Sequence, residues 1–175
     1  MKLVQVLLLT LFALLTSGKV DAQDARLPTP TGPILLTISG SIARANGVDA
    51  AGRPIAQFDR AMLEAVGLKT ITTSTLWHEG KPRFEGVSSA ALMAAVKGTG
   101  KAARGIALNE YVVDLPMEDF VGDKFILALK VNGKEMSIRD RGPIFVIYDY
   151  DKTPKNVVHF VQNKSIWQLI RLEVK

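Results

Sequence analysis

The chain has 175 residues, 22 Lys and Arg against 17 Asp and Glu, a formal net charge of +5, and no cysteine. Without cysteine, disulfide staples, a thiolate nucleophile and a thiolate metal ligand are all excluded, and with His78 and His159 as the only histidines so is a His-rich metal cluster. The basic residues stand singly, as at Arg44, Arg53, Arg60, Lys69, Lys81 and Arg83, with no dense stripe interleaved with aromatics, so nucleic acid is not an expected partner, whereas a mild preference for anions is.

In chain order, the first element is a leader. Lys2 gives a short positive start, residues 3–15 are apolar apart from Gln5 and Thr10, and Val20-Asp21-Ala22 places small side chains at the cleavage positions. This pattern predicts a signal peptide removed after Ala22. The alternative is a membrane anchor, but the run falls short of the roughly 20 residues a bilayer-spanning helix needs. No later stretch is long enough either, so the expected product is a periplasmic or secreted protein, residues 23–175, with no membrane span after cleavage.

Residues 23–33 carry Pro28, Pro30 and Pro33, which disfavour helix and ladder pairing and predict an extended arm before a single domain over 34–175. Residues 34–38 read as a strand ended by Ser39-Gly40, with a second short strand around 41–44 and a turn region over 47–54. Residues 58–66 read as a helix capped by Asp59 and stopped by Gly67. Residues 69–77, rich in Thr and Ile, suit a strand, and 78–83 a polar loop. A second helix opens at Ser88 or Ser89 and runs to Val96.

From there the chain reads mostly as β. Strands are expected over 105–108 and 111–115 around an Asn109-Glu110 bend, then one helical turn over 116–120 opened by Pro116. A strand over 124–131 leads into Asn132-Gly133, a strong hairpin signal because both residues tolerate positive φ, and 136–138 is the expected return. Strands over 144–148, 157–161 and 169–174, with a helical turn near 165–168, complete the chain. Strands, two helices, then strands make the fold class α+β rather than alternating α/β.

The second half resembles the molybdopterin-binding domain of the sulfite oxidase family. The pieces that carry the resemblance stand in the family's order: Phe84-Glu85-Gly86-Val87, Asn109-Glu110-Tyr111, Leu115-Pro116-Met117, Leu127-Ala128-Leu129, Asn132-Gly133, Arg141-Gly142-Pro143 and Lys164-Ser165-Ile166-Trp167. The resemblance implies a mixed α+β domain with a pterin-lined cleft and, by position, Thr73, Ser74, Trp77, Arg83, Asn109, Tyr111, Arg139, Arg141 and Lys164 as candidate cofactor-binding residues. In catalytic members a Cys on the segment before the aromatic-x-Gly-Val ligates molybdenum; here Thr73 or Ser74 takes that place. A neutral hydroxyl is a poor substitute for a soft thiolate. The leader also lacks the Arg-Arg of the route that exports folded, cofactor-loaded proteins. Together these features predict no molybdenum centre and no catalytic residues. They leave a cofactor-free relative whose vacated cleft serves a small anionic ligand, or a periplasmic or membrane signalling partner. The alternatives are a molybdopterin oxidoreductase with non-Cys ligation and a purely structural partner protein.

Several clusters carry two readings each. Arg139-Asp140-Arg141 either grips an oxyanion or is a hairpin end with Asp140 paired to one Arg. His78, beside Glu79, is either an acid–base group or an exposed loop residue. Asn109, Glu110 and Tyr111 either line the cleft or form a β-turn with Tyr111 packed in the sheet, Trp167 reads as core, and Asp149 and Asp151 either hold a cation or end a strand.

Overall fold

The structure is a computed structural model and describes residues 26–175, so the expected leader and the first residues of the arm lie outside it. It is α+β, with two mixed or antiparallel sheets and a few short helices. Strand β1 (Leu36–Gly40) alternates buried Leu36 and Ile38 with half-exposed Thr37 and Ser39, the period-two pattern of a strand with one face in the core. It pairs antiparallel with β3 (Pro54–Phe58) and parallel with β11 (Leu169–Val174). The hairpin β6 (Ala102–Ala107) and β7 (Val112–Pro116) extends the sheet beyond β11, and β2 (Gly47–Val48) closes its other edge, giving the order β2-β3-β1-β11-β6-β7.

The second sheet runs β10 (Phe145–Tyr148), β8 (Phe125–Val131), β5 (Arg83–Ser88) and β4 (Leu68–Thr72), with β9 (Lys134–Glu135) paired to the end of β8. Residues 125–129 of β8 are all buried, as a central strand covered on both faces must be. Helices α1 (Arg60–Val66), α2 (Ser89–Ala95) and α3 (Met117–Val121) pack with one another, and α4 (Val158–Asn163) lies beyond β10. The sheets meet where residues 166–169 leave the edge of β10 and enter β11: Val146 N–H donates to Ile166 O, and Leu169 N–H donates to Ile144 O.

Local signals set most of these boundaries. Asp59 caps α1 by accepting from Met62 N at 2.9 Å, and Gly67 ends it at φ 138°. Ser88 caps α2 through Ala91 N. Asn132 and Gly133 sit at φ 51° and 76°, the turn their sequence predicts. The arm is extended over its described part, and Asp59 ties it down by accepting from Thr31 N and Gly32 N.

Other expectations are corrected. Residues 41–44 form no strand; the pairing falls instead on β2, inside the expected turn region, and on β3, where Pro54 is tolerated as the first strand residue. The strand expected over 69–77 ends at Thr72, because Thr73 turns inward and its hydroxyl accepts from Asp151 N. Residues 84–87, expected only as a motif with no element assigned, lie in β5, which starts at Arg83, expected as a loop end, and runs to Ser88, which also caps α2 as expected. In β5, Gly86 lies so close to β8 that a Cβ would land on the Leu127 carbonyl. The hairpin return is Lys134–Glu135 rather than 136–138, after which Ser137 caps a short 3₁₀ turn over Ile138–Asp140. The apolar run expected as a strand over 157–161 is helix α4, and 165–168, expected as a helical turn, is extended chain bridging to Phe145. A short apolar run satisfies either period, and here Val158 and Val161 pack on the core at helical spacing.

Candidate functional site

Three separated stretches of chain meet at the seam between the sheets, the last of them running from the end of α4 into the approach to β11. The loop between β4 and β5 brings Trp77, the β6–β7 turn brings Asn109 and Tyr111, the end of α4 brings Gln162 and Asn163, and the strand entry brings Ser165 to Trp167. Together they enclose a cleft of about 290 Å³. The Trp77 and Trp167 rings stand edge to face with centroids 5.9 Å apart, and both rest on Phe145. Trp167, read from sequence as core, is 36% exposed, so its indole is a wall of the cleft. Tyr111 is likewise exposed rather than packed in the sheet; its hydroxyl donates to Asn163 O at 3.3 Å, closing one side. Asn109 Oδ1 accepts from Tyr111 N and fixes the turn. Gln162 Oε1 is a buried acceptor with no partner among the described residues.

Connections next to the lining residues are held in uncommon backbone geometry. Glu110, Arg141 and Gln168 come from three different connections, and each adopts positive φ, at 64°, 70° and 53°. Gln168 joins them: its N–H donates to Arg141 O, its carbonyl accepts from Leu108 N, and its side-chain amide donates to Ile138 O at 2.8 Å. Non-glycine residues in this region each store strain that surrounding structure must hold, a pattern concentrated at binding and switch regions.

His78 sits behind Trp77, its ring against Phe84 and Phe145 and its Nδ1 3.0 Å from Thr75 Oγ1. Burial, and then the positive charge of Arg141, push its proton affinity below the usual imidazole value, so the ring is neutral at pH 7. Arg141 is half-buried, and neither it nor Arg139 takes part in the ion pairs formed among the described residues. Asp140, expected to pair with one of them, instead accepts the Ser137 hydroxyl at 2.7 Å.

The remaining candidates lie elsewhere. Arg83 begins β5, an inner strand of the second sheet, and is bonded to Thr70 and Glu85, and Arg139 is exposed on the 3₁₀ turn. Asp149 and Asp151 end β10, as one reading of them held, and each faces an ammonium: Lys152 at 2.8 Å and Lys81 at 3.0 Å. Lys164 belongs to a second, larger cavity of about 680 Å³ between α3, β4 and α4. There Asp119, only 2% exposed, accepts from Lys164 Nζ at 2.7 Å, Lys124 Nζ at 2.8 Å and Tyr148 OH at 3.1 Å. Burial alone would raise the Asp119 pKa, but these three donors outweigh it and hold the carboxyl below the usual carboxylate range. Burial, followed by the charge of Asp119, pushes the Tyr148 hydroxyl well above the usual phenol value.

No model of a known protein family matches the chain, and no curated protein matches it. The site must therefore be judged on its own donors. Thr73 is fully buried, and its hydroxyl donates to Ser74 O at 3.4 Å while accepting from Asp151 N at 3.1 Å. Ser74 uses its N–H on Asp151 Oδ2. These hydroxyls are neutral, and the Thr73 oxygen is already engaged in holding the loop, so the donor set does not fit molybdenum. What the cleft offers is two indoles, a phenol and side-chain amides. Gln162 and the Asp119 group were not singled out in the sequence: an isolated Gln or a Glu-Asp pair is indistinguishable there from solvated surface, and only the tertiary partners mark it.

Proposed function

We propose that this chain is an exported binding protein on a scaffold of the sulfite-oxidase molybdopterin-domain type, whose Trp77–Trp167 cleft takes a small anion with a flat apolar body. The observation that carries this reading is the convergence of three separated stretches of chain on one cleft lined by two indoles. Indole rings and a phenol favour a planar apolar group, the side-chain amides of the lining supply polar contacts, and Arg141, whose carbonyl accepts from Gln168 N–H beside Trp167, is the cation proposed for the anionic group. Support for the scaffold is the ordered set of motif pieces: the Asn109-Tyr111 bend and the Trp of the Lys-x-x-Trp piece line the same cleft. Support for a binding role rather than metal-centred redox chemistry is the poor fit of Thr73 and Ser74 to molybdenum. Such a protein suits an accessory or sensing part beside a membrane signalling partner.

The test is thermal melting of residues 23–175 against a panel of aromatic anions, aliphatic anions and pterins. A ligand that binds only the folded form raises the melting temperature in a concentration-dependent way. The expected result is a saturable rise with an aromatic anion that Trp167→Ala abolishes. No rise with any compound would count decisively against small-molecule binding in the cleft. Mass analysis of the exported protein should give Gln23 as its first residue.

A further inference from the structure

The cavity around Asp119 has a chemistry that the aromatic cleft lacks. We infer that it is a separate binding site for a monoanionic amphiphile, with a carboxylate head on an unbranched apolar body. This inference is independent of the reading of the cleft.

Charge carries the first half of the argument. The single carboxylate of Asp119 is divided between Lys124 and Lys164, at 2.8 and 2.7 Å, so that end of the cavity holds one ammonium more than its buried carboxylate neutralises. Glu118 reaches Lys124 only at 3.9 Å from a solvent-facing position, where screening leaves little interaction. The other two lysines of the cavity have their own partners, Lys69 with Asp123 at 2.6 Å and Lys152 with Asp149 at 2.8 Å. The four ammoniums of the lining meet four carboxylates, but the fourth, Glu118, is 78% exposed whereas Lys164 is 24% exposed, so the positive charge least screened by solvent is localised at Lys164, beside Lys124. Lys164 is also preorganised: it is 24% exposed and stands 5.8 Å over the Tyr148 ring, so little ordering remains to be done when an anion arrives.

The opposite wall carries the second half. Helix α4 and the residue before it present Val157, Phe160 and Val161 to the cavity, facing Ile71. Phe160 lines the cavity and is 68% exposed. Single exposed apolar residues are ordinary on protein surfaces. An exposed phenyl and valine on the same wall, opposite a localised cation, are a binding arrangement of the usual small-molecule kind, apolar lining with a few placed polar groups. A head on Lys164 and Lys124 leaves the body to run along α4 and cover Phe160.

Calorimetric titration of the folded chain with decanoate, 1-decanol and acetate tests this, with Phe160→Gln, Lys164→Met and Trp167→Ala variants checked for native circular dichroism. Decanoate is expected to saturate one site, with decanol and acetate at least tenfold weaker. Phe160→Gln changes an exposed residue and Lys164→Met leaves Asp119 paired with Lys124; each should weaken decanoate about tenfold. Trp167→Ala should leave decanoate affinity unchanged, which separates this site from the aromatic cleft. Equal affinity for decanol, unchanged affinity in the folded Phe160→Gln variant, loss of binding in Trp167→Ala, or no binding of decanoate would each overturn the inference.

Discussion

Asp119 is where a conservative change should have its largest effect. Replacing it by Asn keeps the volume but removes a charge that two ammonium groups and a buried phenol share at 2.7 to 3.1 Å. Removing one partner of a buried, hydrogen-bonded ion pair costs about 3–5 kcal/mol when the other charge stays buried. Here Lys124 is 50% exposed and Lys164 24% exposed, so both can turn partly to water, which reduces the penalty. The Tyr148 hydroxyl cannot, and a buried polar group losing its acceptor costs about 1–3 kcal/mol, although the Asn oxygen recovers part of it. The balance is a loss of about 2–3 kcal/mol, or roughly 5–10 °C in melting temperature for a domain of this size. Urea unfolding followed by circular dichroism measures it directly. The same experiment has a pH signature. Because the folded pKa of Asp119 lies below its ordinary value of 3.8, its stabilisation is fully present above that value and is lost as pH falls through the lowered folded pKa. Asp119→Asn should abolish that part of the acid destabilisation. A variant within 0.5 kcal/mol of the parent, taking about that much as the margin for an unstructured surface site, with an unchanged acid limb, would refute the assignment of Asp119 as a buried charge held by its donors.

Three further outcomes follow from particular contacts. Gly86→Ala should destabilise the fold by about 3 kcal/mol in denaturant unfolding, since its Cβ would strike the Leu127 carbonyl in the facing strand and neither backbone can withdraw from the sheet. His78 is kept neutral, so folded protein binds its proton less well than unfolded chain; stability should fall as pH drops below the ordinary value of 6.5, and His78→Gln should flatten that segment of the stability–pH curve. Asp59→Ala releases the Thr31 and Gly32 amides, and hydrogen exchange at those two positions should quicken by at least tenfold while the β8 amides keep their protection.

The caps and the hairpin were legible because their chemistry is local. Asp59, Ser88 and Asn132-Gly133 act on backbone within a few residues, so sequence alone placed two helix starts and one turn. Strand β5 was hidden because what makes it a strand is distant: Gly86 permits close approach to β8, and the Phe84 and Val87 faces are buried by that pairing. Helix α4 was misread because four apolar residues around His159 satisfy either period, and only the packing of Val158 and Val161 on the core decides between them. At the cleft, the motif order brought Trp77, Asn109, Tyr111 and Arg141 into consideration together. It also grouped with them Lys164, whose ammonium turns instead toward Asp119, 45 residues away in sequence. The direction a side chain takes from a turn is set by such tertiary partners, which neighbouring residues do not encode.

The Trp77–Trp167 cleft is expected to work without a metal held by the polypeptide. Mature protein purified from the compartment of the cell that receives it, with no added metal, should contain far less than one molybdenum per chain by elemental analysis. One molybdenum per chain, retained through purification and lost on Thr73→Val or Ser74→Ala, would contradict the account.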